Sequence, residues 1–416
     1  MTSQSRFPVK TISPSHGDDN PPLPQQTLGN FSDVPLHVLL VVEPGRDGVF
    51  RHVEGLTQFL HDHHHRVSLA YSSRRGSDGL SQLIAKVLEK GGSAIDLDTG
   101  NKPSLSDFSA LWKLRALIHK IKPDVIHAHS SKGGALVRML TSSKPWRPVF
   151  YTPNAYYGMG NRNIMAPFYT AVERLLGKRA ITITVSEDEA TFARKVLKIP
   201  KSLIRIIPNP VPTERFLPAS AEVRKAARVK LGFPEEAFIV GTIGRLSFQK
   251  DPLTATMAMA PLMKKDRSLY FAHLGDGELL PVLEEYAHQE GISAQILRPH
   301  YLEDTVPFYQ SLDGFLLTSR YEAGIPFVLL EAFSCGLPTV TTIPLGMTQV
   351  THLGLSDCWT AQVGDVAEIA AGLDALITTH VNCFATNHRQ CIEEDFSPKV
   401  CFGKVVQEYR KSLVKS

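Results

Sequence analysis

The fold is decided by the stretch Phe238-Ile-Val-Gly-Thr-Ile243, which is followed at once by Gly244-Arg-Leu-Ser-Phe-Gln-Lys-Asp251. Its first six residues are mostly apolar or β-branched, which favours a buried strand. Gly244 then frees the backbone to turn, and Arg245 and Lys250 bring two positive charges to the carboxyl end of the strand. A short apolar strand that leads through a glycine turn towards a helix is the repeating unit of a parallel α/β sheet.

The same unit recurs on both sides of this stretch and predicts an α/β fold with two Rossmann-like domains that face each other across a cleft. Strands and helices alternate from Leu36-His-Val-Leu-Leu-Val-Val42 to Ile204-Arg-Ile-Ile207, and the alternation restarts after the proline cluster Pro208-Asn-Pro-Val-Pro212. Proline can continue neither element, so the cluster indicates a hinge. Ligands of such sheets bind at the carboxyl ends of the strands, which here would line the cleft. We expect a flexible tail over 1–33, an acceptor domain over 34–212, a donor domain over 213–395, and a helix over 396–416 that is a candidate for returning to the first domain.

Composition limits the class of protein. Hydrophobic residues make up 43% and charged residues 21%, as in ordinary globular domains. No run approaches the ~18 apolar residues that span a bilayer, and the first residues lack the apolar core of a signal peptide. We therefore expect a cytoplasmic protein, with association at the inner face of the membrane left open.

Charge is unevenly divided along the chain. Residues 1–215 carry a formal charge of +10 and the remainder −6, within a net charge of +4. The basic half favours an anionic partner, either lipid headgroups or a phosphate-bearing acceptor. Candidate segments for such contact are the aromatic and glycine-rich stretch 156–176 and the basic helix that contains Trp112, with a core helix or solvated surface charge as the alternative. Nucleic acid is not expected as a partner, because no nucleic-acid-binding module is recognisable.

Two segments carry residues suited to binding phosphate. Gly48 lies in the first turn between a strand and a helix, where backbone N–H groups can meet an anion, although the spacing is not GxGxxG and a plain tight turn fits equally. At the second, Gly244, Arg245 and Lys250 would stabilise a diphosphate leaving group as its negative charge develops.

A third segment runs from Thr318 to Pro338 and predicts a strand, a glycine-containing loop and a helix. Glu331 falls in the first turns of that helix, where a carboxylate can accept hydrogen bonds from two ribose hydroxyls. Backbone N–H groups between 324 and 327 can face a sugar or phosphate, so we also place Gly324, Ile325 and Pro326 at the donor site.

Together these segments resemble glycosyltransferase family 4, the retaining enzymes with two Rossmann-like domains in the GT-B arrangement. The resemblance covers nearly the whole chain from about Val34. The matching segments, in order, are Asp124-Val-Ile-His-Ala-His129, Val185-Ser186-Glu187, Ile207-Pro-Asn-Pro-Val211, Gly244-Arg245 with Lys250, Leu274-Gly-Asp-Gly277, and Leu330-Glu-Ala332 with Cys335-Gly336-Leu-Pro338.

The resemblance implies an enzyme that transfers a sugar with retention at the anomeric carbon. The donor would be a nucleotide-sugar, a UDP-sugar before a GDP-sugar, and the acceptor a glycan, a lipid-linked sugar or a small molecule, with no metal or other cofactor. It also implies that Arg245 and Lys250 bind the diphosphate, that Glu331 binds the ribose, and that Gly48 closes on the phosphate.

Two departures from the family pattern concern the reacting sugar. The family has seven residues between two glutamates, whereas eight separate Glu322 from Glu331. Glu322 can therefore act as the first glutamate of the pair only if the loop bulges by one residue. Asn154 stands where histidine is common, and an amide can orient a hydroxyl but cannot titrate near neutrality. His127 is the third catalytic candidate. We expect His127 and His129 on opposite faces of their strand with one at the cleft, or else both as structural histidines.

Two other functions remain open at this point. A nucleotide-sugar 2-epimerase would use a similar two-domain shape, but it needs carboxylates and histidines poised for elimination. A binding protein of this shape that has lost its chemistry would account for the shifted Glu322 and for Asn154.

Overall fold

We describe the protein from a computed structural model. It describes residues 34–43, 45, 47–76, 79–100, 103–141, 148–159, 165–299, 302–379 and 386–414, with Asp47, Arg75 and Thr386 limited to their backbone. The tail expected over 1–33 and part of the stretch 156–176 lie outside these residues.

The first domain is built on a parallel sheet. Its strands are β1 His37–Val42, β2 Arg66–Tyr71, β3 Ala94–Asp96, β4 Val125–His129, β5 Val149–Thr152, β6 Ile181–Thr184 and β7 Ile204–Ile206. They lie in the order β3-β2-β1-β4-β5-β6-β7. The helices between them are α1 Asp47–Asp62, α2 Gly79–Glu89, α3 Ser106–Ile121, α4 Ser130–Leu140, α5 Ala166–Leu176 and α6 Glu187–Lys195.

Both faces of this sheet are covered, which is why its strands are apolar along their whole length. One buried cluster joins β1 to α1 and α2, and the other joins β1 and β4 to α3, α4 and α6. The sheet is therefore the middle layer of a three-layer α/β domain.

The second domain repeats this plan. Its strands are β8 Phe238–Ile243, β9 Leu269–Leu274, β10 Ile296–Leu297, β11 Gly314–Leu317, β12 Thr339–Thr342 and β13 Cys358–Ala361, in the order β10-β9-β8-β11-β12-β13. Its helices are α7 Ala221–Leu231, α8 Pro252–Lys265, α9 Leu280–Gln289, α10 Val306–Ser311, α11 Phe327–Ser334, α12 Val366–Thr379 and α13 Thr386–Phe396. The two Rossmann-like domains expected from the sequence are confirmed.

A further helix, α14 Pro398–Val414, packs on the first domain. Phe402, Val405 and Tyr409 are buried in the same cluster as β1 and α1. Arg205 at β7 donates to Glu408 of this helix with 2.6 Å between Nε and Oε2. The first domain is thus completed by residues that follow the second domain in the sequence.

The strand order of each sheet indicates where a ligand would bind. In each sheet the order reverses beside the first strand of its domain, between β1 and β4 and between β8 and β11. Ligands of open α/β sheets bind in the crevice at this reversal, outside the carboxyl ends of the strands. Of the helices described, none combines the length and hydropathy needed to cross a lipid bilayer.

Candidate active site

The loop after β8 lies against the glycine turn after β9. The Leu246 N–H donates to the Asp276 carbonyl at 2.9 Å. Gly275 has a φ of 148°, and a Cβ there would lie 2.0 Å from the Gly244 carbonyl oxygen, so no other residue fits. This support holds the loop beyond the end of the strand, with Arg245 exposed on it.

Lys250 forms an ion pair with Glu322, and the Glu322 side chain is only 10% exposed. Two further bonds join their loops. The Thr318 hydroxyl donates to the Asp251 carbonyl at 2.9 Å, and the Arg320 N–H donates to the Gln249 carbonyl at 2.8 Å. Glu322 therefore reaches the loop after β8 although one extra residue separates it from Glu331.

Glu331 is buried in α11, and its two carboxylate oxygens have different partners. Arg51 of α1 bonds to Oε1, and the Tyr309 hydroxyl donates to Oε2 at 2.7 Å. Burial, with the negative charge of Glu331 beside it, raises the pKa of Tyr309 well above its ordinary value, so this hydroxyl keeps its proton. Glu331 is thus fixed on one side by its own domain and held on the other by the first domain.

The first turn of α1 also touches α11. A Cβ placed on Gly48 would lie 3.6 Å from the Phe327 ring, in ordinary contact. Because Phe327 opens α11, the N-terminal ends of the two helices lie against each other. Gly48 and Glu331 therefore belong to one region of contact between the domains.

A second contact between the domains begins at α6. The Ser186 hydroxyl donates to the Ala323 carbonyl at 2.5 Å. Asp188 Oδ2 accepts from the Gly346 N–H at 3.0 Å and from the Thr348 hydroxyl at 2.7 Å. A Cβ on Gly324 would lie 3.0 Å from the Val185 carbonyl oxygen, so the loop with Gly324, Ile325 and Pro326 runs close to the first domain.

Asn154 lies in a tight turn directly after β5. Its φ is 52° and that of Ala155 is 93°, both in the left-handed region that few residues other than glycine adopt. Glu189 of α6 fixes the turn by accepting from the Ala155 N–H at 2.9 Å and from the Val185 N–H at 2.8 Å. Both polar atoms of the Asn154 amide are buried and have no hydrogen-bond partner within the described residues. The turn therefore holds an amide whose bonding capacity is unused.

Comparison with known families is decisive for the classification. The model for Glycosyltransferase Family 4 matches residues 46–215, and the model for Glycosyl transferases group 1 matches residues 223–393. The chain belongs to glycosyltransferase family 4. The two matches fall one on each Rossmann-like domain, so the family assignment covers both sides of the cleft.

Individual relatives agree with this classification. The UDP-Gal:alpha-D-GlcNAc-diphosphoundecaprenol alpha-1,3-galactosyltransferase of Escherichia coli is 28% identical over 243 residues, which are 57% of this chain and 62% of that protein. The chain thus spans less than two thirds of the length of this curated relative.

Two solved structures show the shared architecture. A glycosyltransferase from Rickettsia africae superposes with a TM-score of 0.75 at 17% identity, covering 92% of this chain and all of the other. HepE from Anabaena, solved in complex with UDP, gives 0.74 at 17% identity, with 90% of this chain and all of that one covered. At this identity the likeness establishes the GT-B fold.

Within this family-4 fold, the catalytic assignment of His127 is corrected. Its ring is fully buried, with Nδ1 bonded to the Tyr409 hydroxyl at 2.6 Å and Nε2 to the Thr152 hydroxyl at 2.8 Å. Burial holds its pKa well below the ordinary 6.5. Because neither nitrogen is left for a substrate, His127 is a structural residue of the domain core.

The expected placement of His127 and His129 on opposite faces is also wrong. Their ring centroids lie 4.1 Å apart. Residues two apart along a strand point to the same side of the sheet, which is the rule that applies here.

Several residues of the candidate site were not assigned to it from the sequence. Ser186 and Glu189 have the spacing of a helix capping box, which could have marked the start of α6. Arg51 and Tyr309 offered no such pattern. Their contacts with Glu331 join positions 280 and 22 residues apart, which only the packing of the elements reveals.

Proposed function

We propose that this chain transfers a sugar from a nucleotide-sugar to an acceptor hydroxyl, with retention of configuration at the anomeric carbon. The observation that carries the proposal is the pairing of Lys250 with Glu322 beside the exposed Arg245, at the carboxyl edge of the second sheet. Glu331 follows on the helix that leads away from the same loop. Cations for a diphosphate and a carboxylate for a ribose are the groups that a nucleotide-sugar requires.

UDP is the nucleotide that we propose, and a glycan or lipid-linked sugar is the acceptor. Support comes from the relatives. The Escherichia coli enzyme is named for UDP-Gal and a diphosphoundecaprenol acceptor, and HepE was solved with UDP and with UDP-glucose. GDP-sugars and small-molecule acceptors are the alternatives that a ligand screen separates.

In the reaction, the bond between the anomeric carbon and the diphosphate oxygen breaks, and the acceptor oxygen bonds to the same face of that carbon. Arg245 and Lys250 neutralise the charge that develops on the diphosphate, which then takes the acceptor's proton. Asn154 orients a sugar hydroxyl, and Glu322 lies beside the reacting sugar. We expect no metal to be required, since the two cations supply the positive charge.

Such a front-face reaction needs no titrating base from the protein. It therefore fits a site in which an amide occupies the position of Asn154 and His127 is bonded on both nitrogens. A 2-epimerase, by contrast, would need an acid–base group that His127 cannot provide.

Thermal-shift measurements with UDP, GDP and ADP test the donor site. A nucleotide at a hundred times its dissociation constant should stabilise the protein by about 2.7 kcal/mol. We expect UDP to shift the wild type and not Lys250→Ala. Lys264→Ala is the matched control, because Lys264 pairs with Glu290 on the surface at the end of α8. No shift with any nucleotide would overturn the donor-site assignment.

Turnover separates an enzyme from a binding protein. Slow release of UDP from a UDP-sugar, together with an NMR assignment of the product's anomeric centre, would establish transfer and its stereochemistry. Tight UDP binding without turnover would instead identify a binding protein that has lost its chemistry.

We also propose that the first domain contacts a membrane rich in anionic lipid. Phe108 and Trp112 are exposed on α3, Leu105 is exposed immediately before it, and Phe168 and Leu175 are exposed on α5. Both helices pack beside α4, on the same side of the sheet. Exposed basic residues accompany them, namely Arg115, Lys120, Lys122, Arg174 and Lys178. Exposed apolar side chains with cations nearby in the sequence fit the interface of an anionic bilayer.

A further inference from the structure

The first turn of α6 belongs to the first domain but reaches the loops of the second domain over 322–324 and 346–348. It carries Ser186 as its N-cap and Asp188 two positions later. Both side chains bond to the second domain. These contacts form only when the domains are together, because each joins one residue of either domain.

One carboxylate oxygen of Asp188 accepts three hydrogen bonds. Its Oδ2 accepts from the Gly346 N–H at 3.0 Å, the Thr348 N–H at 3.3 Å and the Thr348 hydroxyl at 2.7 Å. Hydrogen bonds to an ionised acceptor are about twice as strong as neutral ones. The charge of Asp188 therefore fixes the loop over 346–348.

That loop in turn supports Glu322. Gly346 has a φ of 100°, and a Cβ there would lie 1.8 Å from the Glu322 carbonyl oxygen, so the two backbones touch. The Glu322 N–H also points to the Leu345 carbonyl at 3.4 Å. On the other side of Glu322, the Ala323 carbonyl accepts from Ser186. Glu322 is thus supported by the first domain from both sides.

We propose that Asp188, together with Ser186, is a positioning residue for Glu322. The first domain does not only face the donor site but completes it by holding the loop whose carboxylate meets Lys250. This inference rests on the proposed function for its catalytic consequence, but its structural part can be measured without activity. Since a misplacement of about 1 Å at a reacting centre can cost 100-fold in rate, a lost support should act on kcat.

The test compares three variants. Asp188→Ala removes the acceptor, and Asp188→Asn keeps an oxygen in the same place. Glu187→Ala is the matched control on the same turn, since Glu187 is 58% exposed and pairs with Arg194. We expect Asp188→Ala to lower kcat by 10- to 100-fold with a donor KM within about threefold of the wild type. Asp188→Asn, which keeps an acceptor oxygen without the charge, should recover part of the loss, and Glu187→Ala should match the wild type.

Amide hydrogen exchange provides the readout that needs no activity. Asp188→Ala should speed exchange at 322–324 and 346–348 while the strands of both sheets stay protected. An equal loss of UDP binding and turnover, or unchanged exchange and kcat, would overturn the positioning role. If the wild type neither binds UDP nor turns over, the proposed function fails, and the exchange pattern still decides whether Asp188 holds the loop.

Discussion

At the scale of single residues, two partners hold the carboxylate of Glu331 in place. Tyr309 occupies Oε2 and Arg51 occupies Oε1. Tyr309 belongs to the core of the second domain and cannot move, whereas the Arg51 side chain is 40% exposed and can. A ribose that bonds to Glu331 should therefore displace Arg51 and leave Tyr309 in place.

Tyr309→Phe should weaken donor binding while sparing the chemistry. Without this bond the Glu331 carboxylate is no longer held in place for the ribose, so we expect the dissociation constant for UDP to rise by up to about tenfold, part of the roughly 1.5–3 kcal/mol that a hydrogen bond to a charged group contributes. Titration calorimetry measures this. Tyr286→Phe, on the surface helix α9, is the control, and equal affinities in the two variants would contradict the role given to Tyr309.

The loop after β8, with its turn and its two cations, was predictable from the sequence because its residues are neighbours along the chain, while its donor-binding role stays a prediction. Gly244, Arg245 and Lys250 follow one strand, and glycine and charge patterns are local. The role of His127 was not predictable, since its two partners come from β5 and from α14, which lies 282 residues further along the chain.

At the scale of elements, the apolar run that precedes the turn at Gly244 predicted β8 with the bounds that the structure shows, Phe238–Ile243. The helix α4 was not assigned, because it opens with Ser-Ser-Lys-Gly-Gly, a poor helix former. Tertiary packing overrides that preference. A Cβ on Gly134 would lie 2.2 Å from the Tyr151 ring, so the glycine lets the helix approach the sheet.

The exposed faces of α3 and α5 lead to a prediction about lipid. Phe108→Ser combined with Trp112→Ser should reduce binding to phosphatidylglycerol vesicles by tenfold or more, since burying each side chain is worth about 1.5–3 kcal/mol. Vesicle flotation measures the bound fraction. Leu88→Ser is the control, because Leu88 is exposed on α2 across the sheet. Equal binding of all variants would show that α3 does not contact the membrane.

The helix α14 should be essential to the first domain. Phe402 is 2% exposed and packs against His52 and Gly55 of α1. Phe402→Ala should lower the free energy of unfolding by about 3–5 kcal/mol, as large-to-small changes in a core do. Urea unfolding measures the change, with the exposed Val414→Ala as control. A loss below about 1 kcal/mol, the upper end for ordinary surface changes, would mean that α14 only rests on the surface.

At the scale of the whole molecule, buried histidines should make stability depend on pH. Burial lowers the pKa of His52 and His273 to about 4, below the ordinary 6.5. Between these values the unfolded chain binds protons that the folded chain does not, so the free energy of unfolding falls as pH drops from about 6.5 to about 4. Each group contributes up to about 3 kcal/mol of this loss.

Glu189 acts in the opposite direction. Burial raises its pKa from 4.5 to about 7, so it lowers stability as pH rises through that interval. Urea midpoints at pH 5 and pH 7 should therefore differ less in His273→Gln than in the wild type and more in Glu189→Gln. Identical differences in all three proteins would show that neither group governs the dependence.

The position of α14 in the sequence also sets the order in which the two domains can complete their folding during synthesis. His127 and Tyr409, which bond in the first domain, are 282 residues apart. At about 5–20 residues per second, their synthesis is separated by roughly 15–60 s. After β7 ends at Ile206, the first sheet is complete but lacks the helix that covers Phe150 and His127 until α14 is made, and the second domain is synthesised in that period. The domain that is translated first is thus the last to be finished, and in the meantime it presents an apolar surface that chaperones would recognise.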